Sequence, residues 1–218
     1  MATGAALAAI VLRIVQDDAF DEDDVLYQFN QCANYLSSEF ILPVLDTQGT
    51  VTTDVDTWSV DVPDDFQRNL YEVLDSNNRP IGILDSRKQM LAYCGGDIDR
   101  TAARIERVTV IGGKLIYWPI NVTAEELTLF YQRKPTAITA LGTIDLLPAA
   151  FADSDQFFVN YACWKLFEQI EQGLEGEKVD TNYYMALFTG MVDKLSLHLN
   201  KESGISYPRP KVVRMQRW

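Results

Sequence analysis

The chain has 218 residues, 47% of them apolar and 23% charged, with a formal net charge of −12. These proportions exclude a disordered or low-complexity protein, and the acidity excludes nucleic-acid binding by the body of the chain, since phosphate neutralisation needs clustered Lys and Arg. No apolar run reaches the roughly 20 residues of a membrane-spanning helix.

In chain order, the opening stretch MATGAALAAIVLRIVQDDAF has no basic start of the kind a secretion signal carries. Arg13 interrupts its apolar run and six acids follow between Asp17 and Asp24, so a buried helix is expected. The next segment, DEDDVLYQFNQCANYLSSEFILP, places Val25, Leu26, Phe29, Cys32, Ala33, Leu36 and Phe40 at the spacing of one helical face. Asp21 is its expected N-cap, with the neighbouring acids at the positive end of the helix dipole, and Pro43 marks its end. A capped helix start is a simpler use of these acids than a metal site.

From Asp46 to Lys134 the pattern changes to strands. TVTTDVDTWSVDVP alternates Trp58, Val60 and Val62 with Ser59 and Asp61, and ELTLFYQRKP alternates Leu127, Leu129 and Tyr131 before Pro135. Gly112-Gly113 in VTVIGGKLIYW predicts a two-residue hairpin, because the primed turns need the positive φ that Gly accepts. SNNRP reads as a turn and DSRKQMLAY as a short helical piece.

Helical spacing returns in PAAFADSDQFFVNYACWKLFEQIEQG, where Phe158, Ala162, Leu166 and Ile170 fall four apart, Val159, Cys163 and Phe167 widen the stripe, and Gly173 is the expected C-terminal cap. DTNYYMALFTGMVDKLSLHLNKESG follows with Tyr184, Leu187, Phe188, Met191, Leu195 and Leu199, capped by Asp180 or Thr181 and stopped near Gly204. Two long helices joined by a short acidic loop are expected to pack antiparallel. The fold class is therefore α+β. A helical bundle formed by both chain ends (1–45 and 147–204) is expected to carry a central antiparallel β-rich insert (46–146), followed by an extended basic arm (205–218).

Groups with catalytic promise are scarce, and no cofactor motif is found. The single histidine, His198, permits neither a His-based triad nor a multi-histidine metal site, and a surface or capping role is expected of it. The cysteines Cys32, Cys94 and Cys163 form no CxxC pair and read as small core residues. Asp64-Asp65 after Pro63 reads as a turn cap, Gly95-Gly96 matches no phosphate-binding loop, and Trp164, Tyr183 and Tyr184 are expected in the core. An enzyme is not expected.

The ending SYPRPKVVRMQRW is unlike the rest. Residues 207–218 hold Arg209, Lys211, Arg214 and Arg217 and no acid, which leaves −16 on residues 1–206. Pro208 and Pro210 restrict the backbone around Tyr207 and Arg209, predicting an extended segment that the last helix cannot continue into. Val212, Val213, Met215 and Trp218 then stand as apolar anchors between cations, a composition suited to docking on a partner. A functionless tail and a weak nucleic-acid arm are the competing readings of Tyr207–Trp218.

The succession of IVLRIVQDDAFDEDDVLYQFNQCANYLSSEFILPVLDTQGTVTT, VDVPDDFQRNLYEV, LFYQRKPTAIT and LPAAFADSDQFFVNYACWKLFEQIEQGLEGEKVDTNYYMALFTGMVDKL resembles the head-to-tail adaptor (connector) proteins of tailed bacteriophages, over residues 10–200. The resemblance implies a structural virion protein in the neck, made in the bacterial host cytoplasm. It implies a ring of twelve copies below the portal protein, joined to tail or nozzle proteins, through which DNA passes without specific binding. It also implies an arm that embraces the portal. Another neck or tail component, such as a gatekeeper or tail-tube protein, and a small-ligand or carbohydrate-binding module are the alternatives.

Overall fold

Thr3 opens the first helix, α1 (Gly4–Val15), its side chain accepting a hydrogen bond from the Ala6 amide at 3.3 Å. Gly4 is required there, because a Cβ would run into the Thr139 carbonyl. The second helix, α2 (Glu22–Glu39), begins with a reciprocal cap. Asp21 Oδ1 accepts from the Asp23 and Asp24 amides at 2.9 and 3.1 Å, and Asp24 Oδ2 accepts from the Asp21 amide at 3.0 Å. The acid-rich run is thus spent on a helix start, as its sequence predicts.

The structure, a computed structural model, describes residues 2–148, 151, 153–172 and 178–203. The fold is mixed α+β, with five α-helices and three sheets among the described residues; one sheet is wholly antiparallel, and the other two contain short parallel pairs, which the expected antiparallel insert did not include. The chain divides into two compact units, one of Met1–Val44 with Pro135–Trp218, the other of Leu45–Lys134.

In the first unit, α4 (Ser154–Ile170) packs against α1, α2 and α5 (Val179–Ser203), and is buried at every position from Phe157 to Cys163. Phe167 stacks on Tyr184, Asn160 Nδ2 donates to Met191 Sδ at 3.1 Å and Asp153 pairs with Lys194 at 3.5 Å, so α4 and α5 run antiparallel. The start of α5 is not capped by Asp180 or Thr181 as expected. Glu171 receives both of their amides, Oε1 from Asp180 at 3.2 Å and Oε2 from Thr181 at 3.3 Å. A carboxylate at the end of one helix therefore serves the positive end of the next. The expected cap at Gly173 and the stop at Gly204 lie outside the described residues. The stretch after Pro135 runs along α1 and α2: Gly142 and Ala140 carbonyls accept from the Gly4 and Ala5 amides at 2.9 Å, and Asn30 brackets the Ile138 peptide with bonds of 2.8 and 3.1 Å.

The second unit is built on strands. A three-stranded antiparallel sheet has β9 (Glu126–Arg133) between β1 (Asp46–Thr52) and β3 (Phe66–Leu74). A four-stranded sheet runs in the order β2 (Ser59–Asp61), β7 (Lys114–Trp118), β6 (Arg107–Ile111) and β4 (Gly82–Ile83), of which β4 and β6 are parallel. A second short parallel pair joins β5 (Thr101–Ala102) to β8 (Ile120–Asn121). The hairpin between β6 and β7 turns on Gly112 and Gly113, whose φ values of 59° and 80° give the left-handed pair a two-residue turn needs. Val51, Val73, Val108, Leu115, Tyr117, Leu127, Leu129 and Tyr131 form the buried core of this unit. The short helix α3 (Arg87–Cys94) forms within DSRKQMLAY as expected; it is capped by Ser86 and covers the opposite side of the four-stranded sheet.

Candidate functional site

Side chains on a strand alternate between faces, and β7 shows what this does to a sheet covered on both. Leu115 and Tyr117 enter the core, whereas Ile116 and Trp118 point the other way, into a smaller cluster with Met90 and Cys94 of α3. An eight-residue helix is about 12 Å long. It does not finish covering that face. Trp58, Leu91 and Ile98 remain 48%, 45% and 51% exposed around an apolar groove whose floor is Met90, Cys94, Ile116 and Trp118. Arg87 and Asp99 stand at its rim. The groove encloses about 130 Å³, close to the roughly 150 Å³ that admits a benzene-sized group.

Trp118 is held from several directions. Its Nε1 donates to the Asp97 carbonyl at 2.8 Å, Tyr93 meets it edge to face at 5.5 Å, and the Arg100 guanidinium lies 4.9 Å from its ring centre. Glu106 ties these supports together, accepting from Tyr93 Oη at 3.2 Å and from Arg100 at 3.3 Å, and Arg107 stacks on the far partner, 4.6 Å from the Tyr93 ring. The floor is therefore preorganised, and an apolar side chain entering it would not have to order it. Burial pushes the Cys94 thiol up, which keeps it protonated and a poor nucleophile.

Other residues singled out from sequence are structural or lie elsewhere. Cys32 and Cys163 are buried, with burial pushing the first thiol well up and the second up to about 12. His198 belongs to the first unit and is half-buried, 5.9 Å from the Phe151 ring, rather than at the surface. Asp65 accepts the Tyr131 hydroxyl at 2.6 Å, and the Asp64 and Asp65 carbonyls accept from Lys134 side chain and amide at 2.8 and 2.7 Å, so this pair anchors a turn. Gly95 closes α3 with φ 60°. Trp164 and Tyr184 are partly buried, but Tyr183 and Leu187, expected in the core, are 57% and 37% exposed. The arm residues Tyr207, Pro208, Arg209, Pro210, Lys211, Val212, Val213, Arg214, Met215, Arg217 and Trp218 all lie outside the described residues. Among the described residues, no cluster of His, Cys, Asp and Glu could hold a metal ion, and no helix is long and apolar enough to cross a membrane.

A family model described as SU10 adaptor protein matches residues 2–214, nearly the whole chain. The chain belongs to the SU10 adaptor protein family. Membership in this adaptor family bears out the resemblance to phage head-to-tail adaptors and supports a structural role in a bacteriophage. No curated protein matches the chain.

Proposed function

We propose that the protein is the head-to-tail adaptor of a tailed phage, assembling as a ring of about twelve copies below the portal and joining the capsid to tail or nozzle proteins while DNA passes through. The observation that carries this reading is the adaptor-family match over residues 2–214. In it, the helical unit of both chain ends (1–44 and 135–204) forms the ring body, the central unit (45–134) supplies further partner surface, and Tyr207–Trp218 is the portal-binding arm.

Charge supports this division. With −16 on residues 1–206, a channel bounded by this chain repels phosphates and lets the genome slide, where a basic lining would hold it. The arm carries the opposite sign. Trp218 and Val213 supply buried anchors, and Arg209, Lys211, Arg214 and Arg217 register the arm on an acidic portal rim. Catalysis has no place in this role, which is met by geometry and binding alone.

The experiment is deletion of Tyr207–Trp218, followed by thermal melting and a pull-down with portal particles. The shortened chain is expected to melt as the full chain does and to lose portal attachment. Attachment at unchanged affinity would remove the arm from the account.

A further inference from the structure

Two helices have outward sides whose composition their burial does not explain. From Gly4 to Leu12, α1 contains no charged residue, and its exposed positions are Ala6, Ala9, Ile10 and Arg13, which the helical repeat gathers on one side. From Asn182 to Val192, α5 again has no charged residue, yet Tyr183, Met185, Ala186, Leu187 and Gly190 are exposed. Its inner side is Phe188, Met191, Val192, Leu195 and Leu199. Val179, Tyr183, Leu187, Gly190 and Leu197, spaced by four, four, three and seven, make a second apolar stripe facing away from it. In α4 the uncharged run Phe157–Trp164 needs no partner outside the chain, because Phe157–Cys163 are buried within it. Among the described residues the outer sides of α1 and α5 have no such cover, in a chain with 31 acids to place on its surface.

Charge says what fits where. Arg13 is the one charged residue of α1, and among the described residues it makes no ion pair. The uncharged stretch of α5 is bracketed by the exposed acids Asp180 and Asp193, which likewise make no ion pair among the described residues, whereas Lys194 is held by Asp153 at 3.5 Å. Pairing α1 with α1 of another copy would give Arg13 no acid, and pairing α5 with α5 would bring acids together. Pairing α1 with α5 opposes the two signs and sets apolar stripe against apolar stripe. The small side chains of Ala6, Ala9 and Gly190, the last with nothing within 4 Å of where a Cβ would stand, let the two backbones come close.

We propose that the outer side of α1 in one copy packs against the outer side of α5 in the next. The two faces are different surfaces of one chain, so the contact is heterologous, and repetition of a heterologous contact closes a ring when its rotation allows. This inference rests on the ring reading given above and assigns the faces that make the ring.

The test uses the full chain, with ring mass measured by native mass spectrometry alone and on portal particles, and folding checked by melting. Ile10→Glu and Leu187→Glu, each at an exposed position, are expected to melt like the parent and to raise the concentration needed for assembly at least tenfold. Arg13→Glu is expected to weaken assembly, and adding Asp180→Arg or Asp193→Arg to restore it. Should a glutamate variant fail to fold, Ala9→Cys mixed with Ala186→Cys and a short bismaleimide gives a two-chain product that neither variant gives alone. Rings that form at parental concentration in all variants, without that product, overturn the proposed faces and leave the ring reading standing. Variants that keep the ring but lose portal or tail particles also overturn it, assigning these faces to another partner. A parent chain that stays monomeric in every condition overturns both.

Discussion

Asp75 is a buried carboxylate whose two oxygens have separate tasks, which allows a graded perturbation. Its side chain is fully enclosed; Oδ1 accepts from the Asn77 and Arg79 amides, both at 2.9 Å, and fixes the turn between β3 and β4. Oδ2 accepts from Arg79 Nε at 2.7 Å and lies 3.6 Å from Arg104 Nε. Asp75→Asn keeps an acceptor for the two amides but turns an NH₂ group toward two guanidinium groups. A hydrogen bond to a charged group contributes about 1.5–3 kcal/mol. Arg79 and Arg104 are about half exposed and regain water, so the low end applies, about 1.5–2 kcal/mol for the Asn variant. Asp75→Ala also strands the turn amides and is expected to cost about 3–4 kcal/mol. Burial by itself raises the Asp75 carboxyl, but the Arg79 and Asn77 amides and the Arg79 guanidinium outweigh it and hold the group below the usual carboxylate range. Stability from a depressed carboxyl is present above the unfolded value of about 3.9 and is lost as pH falls through the folded one. The gap between parent and Asn variant should therefore be constant from about pH 5 to 8 and shrink below about pH 4. Urea unfolding with a shared slope measures it. Equal costs for Asn and Ala, or a gap that widens in acid, would refute the division of labour between the two oxygens.

Tyr131→Phe removes the hydroxyl that Asp65 accepts at 2.6 Å, and is expected to cost about 1–2 kcal/mol in the same assay. Burial first, then the Asp65 carboxylate, holds this phenol well above its ordinary value, so its contribution is complete below about pH 10 and falls as pH rises further; the Phe variant should lack that fall. Cys32, Cys94 and Cys163 are all buried, with thiols pushed up by that burial, and a thiol-reactive dye at pH 8 should label them only after unfolding in urea. A chain ending at Gly204 carries no arm and should show negligible duplex-DNA binding on filters at physiological salt, whereas tight binding would contradict the acidic-channel argument.

What could be read from the sequence was what neighbouring residues decide together. The Asp21 cap, the Gly112-Gly113 turn and the alternation of Leu127, Leu129 and Tyr131 are each decided by residues adjacent in sequence, and each stands as expected. Features made by two elements were not legible. Glu171 capping α5 requires knowing that one helix end meets the next helix start. Tyr183 and Leu187 carry an apolar stripe that periodicity alone assigns to the core, because a helix with two apolar sides has the same spacing on both. The groove depends on α3 covering Ile116 and Trp118 but not Trp58, a placement nothing in KLIYW announces. An uncharged run that extends around a whole helix, as in Gly4–Leu12, is the signal that could have marked such surfaces.

The central claim is that many copies of this chain join a phage portal to its tail. Electron microscopy of the full chain mixed with portal particles, with copy number counted by native mass, addresses it most directly. The account predicts a closed ring of about twelve copies seated on the portal's tail-facing end, leaving an open axial channel. A monomer that leaves the portal bare would contradict it.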